Sequence, residues 1–173
     1  MIHRSGVEKS GRIIDVGSGS TVLIDFLLSE GYQRITALDI SEAALTATRQ
    51  RLGAQTTTVE WLTADIRTVP LPAQFYDLWH DRAVFHFLTD PADRNAYLNT
   101  LRNALKPDGQ LIMATFADDG PEQCSNLDVM RYSPEALTAV LGDGFKLIEI
   151  IRHTHTTPWE SEQKFIHCRY QRL

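Results

Sequence analysis

The run Arg12-Ile13-Ile14-Asp15-Val16-Gly17-Ser18-Gly19-Ser20-Thr21 constrains the fold most. Ile13, Ile14 and Val16 are β-branched and form a short apolar run, the composition of a buried strand. Gly17 and Gly19 follow, and then apolar residues at helical spacing: Val22, Leu23, Phe26 and Leu27. That order predicts strand, tight turn, helix. Glycines at such a turn let the backbone approach a ligand closely. The helix start behind it favours polar or anionic groups.

The same alternation continues along the chain. Residues 1–11 are polar and aperiodic, the pattern of a loosely docked lead-in. Gly31 closes the first helix. Residues 34–40 (RITALDI) form a second strand, and Ser41 caps a helix that runs to about Leu52 and ends at Gly53. Residues 58–65 (TVEWLTAD) are a third strand, and Tyr76 to His80 begin a fourth. The apolar run 83–88 fits more than one element. Asp90 and Pro91 open a helix whose buried face is Tyr97, Leu98, Leu101, Ala104 and Leu105. Pro107-Asp108-Gly109 stops it before a fifth strand, Gln110 to Phe116. Residues 117–132 form a long polar segment of the kind that serves as a lid. Ser133-Pro134 opens another helix. Phe145–Ile151 and Phe165–Tyr170 close the chain as antiparallel partners.

Strands alternating with helices predict an α/β sandwich whose sheet is mostly parallel, with one antiparallel strand in the C-terminal hairpin. Ligands of such sheets sit beyond the carboxyl ends of the strands. The length of 173 residues suits one domain. There is no apolar run of membrane-spanning length and no signal-peptide pattern, so a cytoplasmic location is expected. Cys124 and Cys168 are too few for a disulfide scaffold, and free thiols are expected. The formal net charge of −5, with Lys and Arg scattered, counts against nucleic acid as a partner.

Three acids stand near the ends of the first three strands: Asp15, Asp39 and Asp65. A carboxylate at the second strand end can accept both hydroxyls of a ribose, and one at the third can meet an adenine amino group. A dinucleotide fingerprint would need a third glycine where Val22 stands. Asp15, just before the turn, would repel a pyrophosphate. It suits a cofactor with an ammonium group, and S-adenosylmethionine carries one beside its ribose and adenine.

The blocks DVGSGS, LDIS, TAD, YDLWHDRAVFHFL and LKPDGQLIMATF together resemble the class I S-adenosylmethionine-dependent methyltransferases, over roughly residues 12–173. The resemblance implies a Rossmann-like three-layer sandwich with a seven-stranded sheet. It also implies methyl transfer to a small molecule or a protein side chain. Carried onto this sequence, Asp15, Gly17, Ser18 and Gly19 border the methionine part. Asp39 holds the ribose, Ile40 packs on the adenine, and Asp65 and Ile66 hold its edge. His80 lines the floor near the methyl group. The sequence departs from the family at Thr21, which stands where a third glycine is common. It also departs before the first strand, where relatives carry a covering helical segment. Three expectations follow: the cover is absent, another chain such as a second copy provides it, or this is a shortened form.

His80-Asp81-Arg82 is the most unusual polar cluster, and His80, Asp81 and His86 are the candidate bases for an acceptor that carries a proton. The plainer alternative makes Asp81 and Arg82 an ion pair and His86 a core residue. His153 and His155 share a strand face without a third metal ligand, so no metal is expected. Trp159, in the last hairpin loop, is placed to touch substrate. The Pro-Pro-Tyr type motif of DNA amino methylases is replaced by His80-Asp81-Arg82-Ala83. Two other readings stay open: a non-catalytic, partner-dependent module, and a nicotinamide-dependent oxidoreductase.

Overall fold

Ile13, Ile14 and Val16 lie at the centre of the sheet, each fully buried. The computed structural model describes residues 1–19, 21–156 and 162–173. In chain order its elements are β1 (Arg12–Val16), α1 (Leu23–Ser29), β2 (Arg34–Asp39), α2 (Glu42–Leu52), β3 (Val59–Thr63), β4 (Tyr76–Arg82), α3 (Pro91–Ala104), β5 (Leu105–Phe116), β6 (Gln123–Cys124), β7 (Leu127–Asp128), α4 (Pro134–Leu141), β8 (Phe145–Thr156) and β9 (Glu162–Arg172). Seven strands form one sheet in the order β3-β2-β1-β4-β5-β9-β8. Only β9 runs antiparallel to its neighbours, β5 and β8. The strand order reverses between β1 and β4, which opens a crevice at the carboxyl ends of those strands. This is the Rossmann-like sandwich expected from the sequence.

Alternation along each strand builds the two layers. Ile14, Val16, Leu38, Trp79, Leu111 and Met113 face α3 and α4. Ile13, Ile35, Ala37, Leu78 and Ile112 face α1 and α2. Each such side chain contributes roughly 1.5–3 kcal/mol by leaving water. Caps fix the helix starts where expected: Ser41, Asp90 and Ser133 accept from the N–H of Ala44, Ala92 and Ala136.

The structure differs from expectation in several places. α1 buries Ile24 and Leu27, whereas Val22 is 68% and Phe26 38% exposed. The helix begins only at Leu23, so Val22 lies outside it. β3 ends at Thr63, leaving Asp65 in the following turn. β5 begins at Leu105 with no break after α3. Its pairing skips from Tyr76–Leu105 to Leu78–Gln110, and Asp108 takes φ 61° in the bulge. The run 83–88 is a turn, with Phe85–Phe87 in 3-10 form and Ala83 at φ 65°. The long polar segment holds the small hairpin β6–β7. The lead-in is docked through a short 3-10 turn, with Ile2 in the core. Trp159 lies outside the described residues.

Candidate functional site

The glycine turn is built around contacts that exclude side chains. Gly17 has φ 70° and Gly19 φ 51°. A Cβ on Gly17 would lie 2.0 Å from Cγ2 of Val84. The N–H groups of Gly17 and Ser18 both donate to the carbonyl of Leu38. Gly19 donates to Oδ2 of Asp39 at 2.8 Å, and Ser41 to its Oδ1 at 2.8 Å. Asp39 therefore ties the turn to the start of α2. Thr21, at the third-glycine position, closes the turn by donating its hydroxyl to the carbonyl of Ser18. The Ser18 hydroxyl is buried without a partner.

A cleft of about 430 Å³ opens beside this turn, walled by Asp39, Ile40, Ile66, Val84, Phe87 and Leu88. Ile40 is 70% exposed there, while Ile66 is buried. Asp65 lies on the rim but is gripped by Arg67. The Nε of Arg67 reaches both carboxylate oxygens at 3.0 Å, and Nη2 reaches Oδ2 at 2.6 Å. That grip holds the Asp65 carboxyl below its usual range, and Arg67 also meets Asp93 at 2.8 Å.

On the α1 side of the sheet, Asp15 and His80 stand directly opposite each other in the β1–β4 pairing. His80 Nδ1 lies 2.7 Å from Asp15 Oδ1. A carboxylate can only accept, so this contact places a proton on Nδ1 and turns Nε2 away from Asp15. Asp15 Oδ2 is buried and has no partner. A second hollow, of about 480 Å³, is lined by Asp15, Gly17, His80, Arg82, Phe165 and His167, among others.

Asp81 and His86 lie elsewhere, which corrects the expectation that either is a base in the cleft. Successive strand residues face opposite ways, so Asp81 turns from His80 into the other layer. It is fully buried. Its Oδ2 accepts from the Tyr97 hydroxyl at 2.5 Å, and its Oδ1 accepts from the N–H of Val84 at 3.0 Å. Tyr97 in turn accepts from the indole N–H of Trp79. Burial pushes the Asp81 pKa up to about 6, against the lowering effect of these bonds. It pins the 83–87 turn and makes no pair with Arg82. His86 is also fully buried, packed against Phe87 and Phe116. Its Nδ1 accepts from the Phe116 N–H, and burial lowers its pKa to about 4. It is the core histidine of the plainer reading.

Sequence reasoning missed Arg82, Val84, Phe87, Arg67, His153 and His167 as site neighbours. The ambiguous apolar run after β4 was the only signal for Val84 and Phe87. Nothing local marks His167, which arrives through the β5–β9 pairing. Among the described residues, no group of His, Cys, Asp or Glu is placed to hold a metal ion.

A family model described as a methyltransferase domain matches residues 13–109, more than half of the chain. The chain is 26% identical over 166 residues to a tRNA U34 carboxymethyltransferase from Alteromonas mediterranea, covering 86% of this chain and 49% of that protein. It is 28% identical over 101 residues to Nodulation protein S from Rhizobium fredii, covering 58% of this chain and 57% of that one. The chain thus spans about half the length of the curated relatives it matches. Its fold superposes on a SAM-dependent methyltransferase from Methanosarcina mazei with a TM-score of 0.81 and 16% identity, covering 99% of this chain and 96% of that one.

Proposed function

The chain belongs to the methyltransferase-domain family, the class I S-adenosylmethionine-dependent enzymes that its motifs resemble, and from that premise we propose that it methylates a small molecule or a protein side chain, with His80 receiving the acceptor's proton. The observation that carries this reading is the free, buried Oδ2 of Asp15 beside the glycine turn. A buried carboxylate oxygen without a donor is costly, and an ammonium group would satisfy it.

The other residues fit the cofactor unevenly. Asp39 spends one acceptor site of each oxygen on backbone N–H groups. A carboxylate offers about four such sites, so two remain for a ribose diol. Ile40 and Ile66 offer apolar surface on which a flat base can rest. Asp65 fits less well, because Arg67 already occupies its carboxylate.

When bound, the cofactor would supply an electrophilic methyl carbon on a sulfonium sulfur that leaves as a neutral thioether, with Asp15, Gly17, Gly19 and Asp39 as the residues that would hold it. Asp15 holds His80 by Nδ1 and so keeps Nε2 free to take the acceptor's proton. Gly17 brings the turn against Val84 where no side chain would fit. The net charge of −5 favours a small or protein acceptor over a polynucleotide; a tRNA substrate is the property of the Alteromonas relative. No helix is long and apolar enough to cross a membrane. Free Cys124 and Cys168 support the cytoplasm as the compartment.

Calorimetric titration tests the reading. S-adenosylmethionine and S-adenosylhomocysteine are expected to bind in the micromolar range, and NADH not at all. Asp39→Ala should weaken both sulfur ligands by about 1–3 kcal/mol, the scale of hydrogen bonds to a charged group. Failure of both to bind the intact chain would leave the partner-dependent module standing. Binding of NADH alone would restore the oxidoreductase.

A further inference from the structure

We infer that the methyl acceptor is a flat anion, an aromatic or heteroaromatic ring bearing a carboxylate or similar group, held in the hollow beside His80 with its negative end on Arg82. The inference rests on the methyl-transfer reading of the site and adds the acceptor's chemistry to it.

The hollow follows from strand register. Asp15, His80 and Ile112 form one row across β1, β4 and β5. Arg82, Ala114, His167 and Ile151 form the next row toward the carboxyl ends. Arg82 and His167, on either side of the buried Ala114 in that row, both line the hollow. A neighbouring hollow of about 380 Å³ shares Phe26, His80, His153 and His167 with the first. Volumes of this size suit small ligands. The exposure of Val22 and Phe26 also has its explanation here, because both line this space.

The walls point to a flat ligand. Phe26, Phe165 and three imidazoles, His80, His153 and His167, offer ring faces and edges. The charges point to an anion. Arg82 pairs with no acid among the described residues, and its Cζ lies 6.0 Å from the ring centroid of Phe165. Among the described residues, the one acid lining the hollows is Asp15, which is buried and engaged with His80. Burial and the nearby Arg82, His80 and His153 lower the His167 pKa to about 4, so its ring is neutral at pH 7 and can donate or accept a hydrogen bond. A free guanidinium among aromatic walls recognises a planar carboxylate through paired N–H donors. Arg82 also lines the cofactor cleft, so it stands between the two ligands.

A carboxylate could also come from the amino-acid end of the cofactor, and the experiment separates the two sources. The protein is first saturated with S-adenosylhomocysteine, and that titration by itself reports whether the methyl-transfer reading holds. The probes are 4-hydroxybenzoate, 4-hydroxybenzamide and tyramine, one ring with a negative, neutral or positive group. They are followed by NMR on the histidine ring signals. 4-Hydroxybenzoate is expected to bind at least about ten-fold tighter than 4-hydroxybenzamide and to shift the signals of His80, His153 and His167. Arg82→Gln should abolish that preference and leave S-adenosylhomocysteine affinity within about three-fold, while Arg82→Lys should keep part of the preference. The inference is overturned by equal affinity for the two neutral and anionic rings, by tighter tyramine, by unshifted histidines, or by no ring binding at millimolar concentration. It is equally overturned if Arg82→Gln weakens S-adenosylhomocysteine about ten-fold and spares 5′-methylthioadenosine, which lacks the amino-acid end. In that case Arg82 serves the cofactor.

Discussion

Gly17 and Gly19 occupy left-handed backbone, yet their surroundings differ, and that difference is measurable. A methyl group at Gly17 meets Val84 at 2.0 Å, whereas at Gly19 its nearest atoms are 3.6 Å away or more. Gly19→Ala should therefore cost only the conformational term, about 1–2 kcal/mol. Gly17→Ala adds a collision with a residue pinned by Asp81, and should cost more by urea unfolding and weaken S-adenosylhomocysteine as well. The opposite order of the two variants would show that Val84 yields freely. Asp15, Asp39 and the two glycines were legible as candidates because strand end, turn and acid lie close together in sequence, and the structure brings them together around one turn. The roles of Asp81 and His86 were not legible. Which of two adjacent strand residues faces the cleft is a matter of register, and composition gives no hint of it.

The turn that follows β4 shows how a buried polar network shapes an element. Asp81 accepts from two backbone N–H groups of the turn and from Tyr97 on α3, which accepts from Trp79 on β4 itself. Helix, strand and turn are joined at one carboxylate, and Val84 and Phe87 are thereby fixed at the cleft beside the glycine turn. Tyr97→Phe removes the donor to Asp81 and leaves the Trp79 N–H unpaired in the core. The expected cost is about 1–3 kcal/mol in denaturant unfolding. The amides of Val84 and Phe85 should also exchange with solvent faster; unchanged exchange would mean that the turn holds without the network. Element positions from the sequence were good where a cap or glycine marks them, as at Ser41, Gly53, Asp90 and Ser133. They were poor at the start of β5 and at β8 and β9, because those ends are set by how far a neighbouring strand extends.

The stability of the whole molecule should depend on pH in a direction set by two buried groups, Asp81 and His86, and the half-buried His167. His86 and His167 are held near pKa 4 in the folded state, so between pH 6.5 and 4 the unfolded chain binds protons that the native state refuses. Their contribution is present above pH 6.5 and is lost as pH falls. Asp81 acts oppositely: its native pKa of about 6 makes the folded state hold a proton that the unfolded chain releases near 3.8, so its contribution falls as pH rises through that window. Two groups outweigh one, and the melting temperature should drop between pH 7 and pH 4.5. His86→Phe should flatten that slope, whereas Asp81→Asn should steepen it; a wild-type melting temperature that rises toward pH 4.5 would mean that the two histidines titrate normally and Asp81 alone sets the slope. The amino-acid sequence by itself determined the alternation of strands and helices, the glycine turn, the acids beside it and the family, because each is written in residues near one another along the chain. The tertiary structure alone decided that Asp15 faces His80, that Asp81 is spent on Tyr97, and that Arg82, Phe165 and His167 share a hollow. Those facts depend on strand order and register, which bring together residues as far apart as β1 and β9 through packing that no local pattern encodes.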